Sequence, residues 1–201
     1  MGLGKSIEAG IIMYRYRQKG KRKVLLVVPA SQIDQWKREL EEKFHLPVTT
    51  GNSRYLRRKN PPNPFVGDGI MLCSYQFAAN KAKYLAGQPW DPCCIDEEHN
   101  LRNPHGKIST TLRKTLRDFP KLLLTATPIQ NAMDDLYSLA ALADRYFPVS
   151  SSNEVRDSRW KPLLIRTLRK DSKINFANRF TVTSDFNLSE FEKQRSQRFR
   201  G

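Results

Sequence analysis

The sequence is poor in three things, and each shortage removes a class of protein. Cysteine occurs only at Cys73, Cys93 and Cys94. The three show no C-x-x-C spacing and lie in apolar runs, so they read as packed core thiols rather than as a zinc site or a disulfide scaffold. No apolar run approaches the roughly 18 residues that cross a bilayer, and no charged-then-apolar signal opens the chain. The expectation is a soluble intracellular protein that does not use a membrane. Acidic residues are the third shortage: 20 Asp and Glu stand against 35 Lys and Arg, a formal charge of +15. Such an excess favours a polyanionic partner, nucleic acid ahead of an anionic membrane surface. What remains, 39% hydrophobic and 10% aromatic content in 201 residues, is enough for one sizeable core.

Apolar runs of strand length alternate with helical patterns. Residues 6–18 place Ile7, Ile11, Ile12 and Tyr14 at helical spacing, with Gly20 as a stop. "VLLVV" at 24–28 is β-branched and apolar throughout, followed by "SQID", which predicts a helix capped by Ser31 with Ile33, Trp36 and Leu40 on one side. Residues 51–69, rich in proline and basic side chains, predict an exposed loop. "IMLCS" (70–74), "CCID" (93–96) and "LLLT" (122–125) complete the strand set. Runs without polar alternation suit strands covered on both faces, so the fold class is α/β, a parallel sheet flanked by helices. No internal repeat is evident.

In such sheets ligands sit beyond the carboxyl ends of the strands. Gly4, Lys5 and Ser6 supply the end of the phosphate-loop pattern G-x-x-x-x-G-K-[ST], whose opening position falls before Met1. A turn over Gly2, Leu3 and Gly4 aims backbone N–H groups at phosphate, Lys5 neutralises charge, and the Ser6 hydroxyl suits Mg²⁺. After "CCID" the carboxylates Asp96 and Glu97 match a cation ligand and a group that orients or deprotonates water. Following "LLLT" comes a third polar turn, "TATPIQN". Each turn taken alone is also compatible with an ordinary loop or a solvated acidic helix start. Their shared position, just past a buried strand, is what joins them.

Together "MGLGKSIEAG", "VLLVVPASQIDQWKREL", "CSYQF", "IDEEHNLRN" and "LLLTATPIQNAMDDLYSLAALAD" resemble motifs I, Ia, Ib, II and III of the Swi/Snf-type ATPases of the superfamily-two helicases, in order and spacing. The resemblance implies a RecA-like P-loop lobe, incomplete at its N-terminus, within an ATP-driven motor that moves along double-stranded DNA with ATP between two lobes. It assigns Lys5 to the phosphates, Ser6 and Asp96 to Mg²⁺, and Glu97 to the catalytic water. His99 and Gln130 fall at the nucleotide, Ser31, Thr125 and Thr127 on the DNA side, and His99, Thr125 and Thr127 couple the two. The implied division is a lobe over 1–147, an exit segment over 148–187 and a basic tail over 188–201. A second lobe would carry the arginine fingers, and the compartment would be bacterial cytoplasm or nucleoid, or a nucleus.

Two departures stand out: Glu98 occupies a position where the family usually has a small residue, and Ser6 stands for threonine. The resemblance also implies a strand ahead of the first motif. Without it, buried side chains worth about 1.5–3 kcal/mol each would be missing, and the isolated chain is expected to be marginally stable and weak in ATP hydrolysis. Two other readings are a different P-loop NTPase and a non-enzymatic nucleic-acid binder built on the basic clusters at 54–59 and 159–173.

Overall fold

The computed structural model describes residues 4–51, 63–97, 101, 106–125 and 133–165, all within one of two compact units, Met1–Arg166. Five strands, β1 (Lys23–Val28), β2 (Val48–Gly51), β3 (Gly69–Ser74), β4 (Cys93–Asp96) and β5 (Lys121–Leu124), form one sheet in the order β2-β3-β1-β4-β5. Every pairing is parallel. The helices are α1 (Lys5–Gln18), α2 (Ile33–Phe44), α3 (Tyr75–Asn80), α4 (Ala82–Ala86), α5 (Lys107–Thr115), α6 (Met133–Ala143) and α7 (Asn153–Trp160). The expected α/β class with a parallel, helix-flanked sheet is what the chain forms.

Side chains of a strand alternate between faces, which splits the core in two. Val24, Leu26, Val28, Ile70, Leu72 and Cys94 turn to the layer of α1 and α2, where Ala9, Met13, Trp36 and Leu40 receive them. Leu25, Val27, Met71, Cys73, Cys93 and Ile95 turn to the opposite layer with Phe77, Leu85, Leu112 and Leu142. Cys94 faces α1 and α2, so Asp96, two residues on, faces them as well. The cysteines are free and buried. Burial pushes the Cys73 and Cys94 thiols up to about 12 and raises Cys93 too, leaving them unreactive near neutrality.

Several local expectations differ from the structure. Helix α1 buries Ala9, Gly10 and Met13, while Ile11 and Tyr14 are 44% and 45% exposed. Its rotation is set by a close approach to α2, where a Cβ on Gly10 would stand 2.2 Å from the Phe44 ring. Gly10→Ala is accordingly expected to cost about 1–3 kcal/mol, the usual effect of overpacking, as a lower midpoint in urea unfolding. Ser31 caps no helix: it lies in the 3-10 turn Ala30–Gln32, and α2 starts from Gln32 without a side-chain cap bond. Strand β2 was not foreseen because four residues at a sheet edge carry too little pattern. In the expected loop, residues 52–62 lie outside the described residues, but Phe65 is 2% exposed and packs edge-on against Phe77 and Trp90.

Candidate functional site

Strand register brings the carboxyl ends of the strands level. Val27 pairs with Ile95 and Asp96 with Leu124, so the turns after β1, β4 and β5 open at one rim of the sheet. Gly4, at φ 81°, is the N-cap of α1. This left-handed conformation costs an ordinary residue about 1–2 kcal/mol, and it delivers Lys5 as the first helical residue at that rim. The Lys5 ammonium lies 2.6 Å from Glu97 Oε1 and 3.4 Å from Asp96 Oδ1. Burial pulls the Lys5 pKa down, but the bond to Glu97 and the charges of Asp96 and Glu97 outweigh it, so the net shift is upward.

Asp96 is 3% exposed. Its Oδ2 accepts the indole N–H of Trp36 at 2.9 Å, and its Oδ1 accepts the Glu97 amide at 3.0 Å. Glu97 holds φ 53°, a strained conformation for a residue with a side chain, of the kind that persists only when surroundings fix it. Two anchors do so: its amide also donates to the Leu124 carbonyl at 3.0 Å, and the Tyr75 hydroxyl donates to the Asp96 carbonyl at 2.5 Å with the Glu97 carbonyl at 3.2 Å. Tyr75→Phe removes the second anchor and is expected to lower stability by about 1 kcal/mol, read as a drop in melting temperature.

Ser6 is half-buried beside Lys5. Burial would raise the carboxyl of Glu39 on α2, but the nearby Ser6 hydroxyl, the Gln35 hydrogen bond and the Lys43 charge hold it below its usual range. Ser31 is exposed on its turn just past β1, and Thr125 is half-buried just past β5. Gly2, Leu3, Glu98, His99, Thr127 and Gln130 lie outside the described residues. Lys5, Asp96 and Glu97 are thus in direct contact, with Ser6 next to Lys5. Trp36 and Tyr75 were missed as site residues; helical spacing marked Trp36 as core, and nothing local says whom its N–H meets.

A hard oxygen set of this type, a buried aspartate with a neighbouring hydroxyl and glutamate, suits Mg²⁺. Among the described residues no group of three or more His, Cys, Asp or Glu is placed to hold a metal by itself. A separate hollow of about 200 Å³, lined by Arg113, Arg117, Lys121, Ala141, Leu142 and Arg145, opens at the amino end of β5, the opposite edge of the sheet. Most of its cations are engaged internally. Arg113 bonds the Leu101 carbonyl and Ser138, Lys121 the carbonyls of Arg117 and Phe119, and Arg145 pairs with Asp118. The hollow therefore reads as structure.

The fold and the convergence at its carboxyl rim define a RecA-like α/β lobe. More particularly, the chain belongs to the SNF2-related domain family, whose family model matches residues 1–152. It is 29% identical to the "Uncharacterized ATP-dependent helicase YqhH" of Bacillus subtilis (strain 168), over 96% of this chain and 36% of that protein. It is 33% identical to the "RNA polymerase-associated protein RapA" of Erwinia tasmaniensis, over 72% of this chain and 16% of that one. Among solved structures, the Sulfolobus solfataricus SWI2/SNF2 ATPase core in complex with dsDNA superposes with a TM-score of 0.62 at 24% identity, over 79% of this chain and 32% of that chain. The chain thus spans about a third or less of the length of these relatives. No helix among the described residues is long and apolar enough to cross a membrane.

Proposed function

We propose that this chain is the Mg²⁺–ATP-binding lobe of a motor that hydrolyses ATP while moving on double-stranded DNA. The observation that carries the reading is the meeting of Lys5 with Asp96 and Glu97 at the rim where three strand-end turns open. In this reading Gly4 and the start of α1 present backbone N–H groups to phosphate, and Lys5 exchanges the carboxylates for phosphate oxygens as nucleotide enters. Asp96 and the Ser6 hydroxyl hold Mg²⁺, which when bound neutralises phosphate charge. Glu97, released from Lys5, orients the attacking water and accepts its proton. His99 and Gln130 complete the nucleotide contacts, and Thr125 and Thr127 relay its state to DNA. The exposed turn at Ser31, on the same rim, supplies part of the duplex contact, helped by the net positive charge. YqhH is named an ATP-dependent helicase and the Sulfolobus core was solved with dsDNA; both support the motor reading.

Arginines of a second lobe are worth about 10³–10⁵ in rate in comparable phosphoryl-transfer sites, so the 201 residues alone should hydrolyse ATP only weakly. The test is binding of a fluorescent ATP analogue with Mg²⁺ or with EDTA, beside duplex DNA binding across a salt series. Mg²⁺-dependent nucleotide binding, with DNA affinity falling linearly in the logarithm of salt, is expected. DNA binding without any nucleotide binding would replace this reading with a passive nucleic-acid binder.

A further inference from the structure

We infer that Trp36 is a positioning residue that fixes the Asp96 carboxylate for cation binding, an assignment that rests on the nucleotide-site reading above. The indole of Trp36 is 4% exposed, and its N–H is spent on Asp96 Oδ2 at 2.9 Å. The other donors to this carboxylate, the Glu97 amide at 3.0 Å and Lys5 at 3.4 Å, both meet Oδ1. Trp36 is therefore the counterweight on the opposite oxygen. It holds the plane of the carboxylate against the pull of Lys5, the ammonium that must let go when phosphate arrives.

Packing by itself does not call for an indole here. Ile33 and Leu40 flank Trp36 on the α2 face, and a phenyl ring would fill much of the same apolar space. What the indole adds is a donor aimed at the one buried carboxylate on that side of the sheet among the described residues. A buried carboxylate with an unpaired oxygen is costly. Without Trp36 the remaining donors favour turning Asp96 toward Lys5, into an ion pair that competes with a cation. Through Trp36, helix α2 thus braces the carboxylate that the site offers to Mg²⁺.

The experiment uses the full chain and a fluorescent ATP analogue titrated with Mg²⁺. Trp36→Phe is expected to raise the Mg²⁺ concentration for half-maximal nucleotide binding about 10- to 100-fold, the usual size of a loss behind a metal ligand, while binding in EDTA stays unchanged. A purely packing role predicts a lower melting temperature with the same Mg²⁺ requirement, and that result overturns the assignment. Should Trp36→Phe fail to fold, the wild-type chain labelled with fluorotryptophan decides. Trp90→Phe and Trp160→Phe identify two of the three resonances, and the third must move when Mg²⁺ is added to the nucleotide-bound chain. A third resonance that stays still sinks the inference. If the wild-type chain shows no Mg²⁺-dependent nucleotide binding, the nucleotide reading itself falls. That outcome is distinct from a wild type that binds and a Trp36→Phe variant that binds identically.

Discussion

Replacing Lys5 by alanine is expected to weaken Mg²⁺–nucleotide binding about 100-fold, roughly 2.7 kcal/mol. A charge-assisted hydrogen bond to phosphate contributes about 1.5–3 kcal/mol, and without the ammonium the Asp96 and Glu97 carboxylates would face the phosphates uncompensated. DNA binding should persist, because Lys5 points into the carboxylate pair while Ser31 is exposed on its own turn. The measurement is a parallel titration of wild type and Lys5→Ala with nucleotide and with duplex DNA, melting curves serving as the control for folding. Unchanged nucleotide affinity would remove the glycine turn from the site. The sign of the pH dependence follows from the raised Lys5 pKa. The stabilisation from its pairing is complete below the ordinary lysine value of 10.5 and is lost as pH climbs through the higher folded value, so Lys5 remains charged throughout the neutral range.

Phe65→Ala should be among the most destabilising single changes, about 3–5 kcal/mol out of a typical total near 5–15. Phe65 is 2% exposed, with ring centroids 6.2 Å from Phe77 and 5.8 Å from Trp90. Truncation leaves a ring-sized cavity between two aromatic walls that belong to other segments of the core. Ile11→Ser on α1 is the contrasting case: its side chain is 44% exposed, and the cost should stay within about 0.5 kcal/mol. Urea unfolding of both variants checks the pair. The reverse order, a costly Ile11→Ser and a tolerated Phe65→Ala, would contradict the packing described here, and it is the order that the sequence pattern alone would have suggested.

That contrast marks where the sequence is legible. The four apolar runs emerge as strands within a residue of their expected bounds, because strands buried on both faces need continuous apolar side chains whatever their partners. The rotation of α1 escaped, since its isoleucines compete with the Gly10 approach to Phe44, a contact between two helices that no local spacing encodes. Phe65 escaped for the same reason: a lone aromatic among prolines has no period to report its burial. Ser31 had the letters of a cap, but the chain leaving β1 continues through a 3-10 turn before α2 begins.

By itself the sequence determined four of the five strands, the parallel sheet and the polar turns beyond the strand ends, and strand alternation commits Asp96 to the same face as Cys94. These depend on short-range periodicity, which a chain carries in any context. Only the tertiary structure decided that Lys5, 91 residues before Asp96, would meet it, and that Trp36, 60 residues away, would hold the far oxygen. Both contacts follow from the strand order, which seats β1 beside β4 and lays α1 and α2 over their common face. Such meetings are bought with chain entropy and repaid by burial of the whole layer, a balance written in no single stretch of residues.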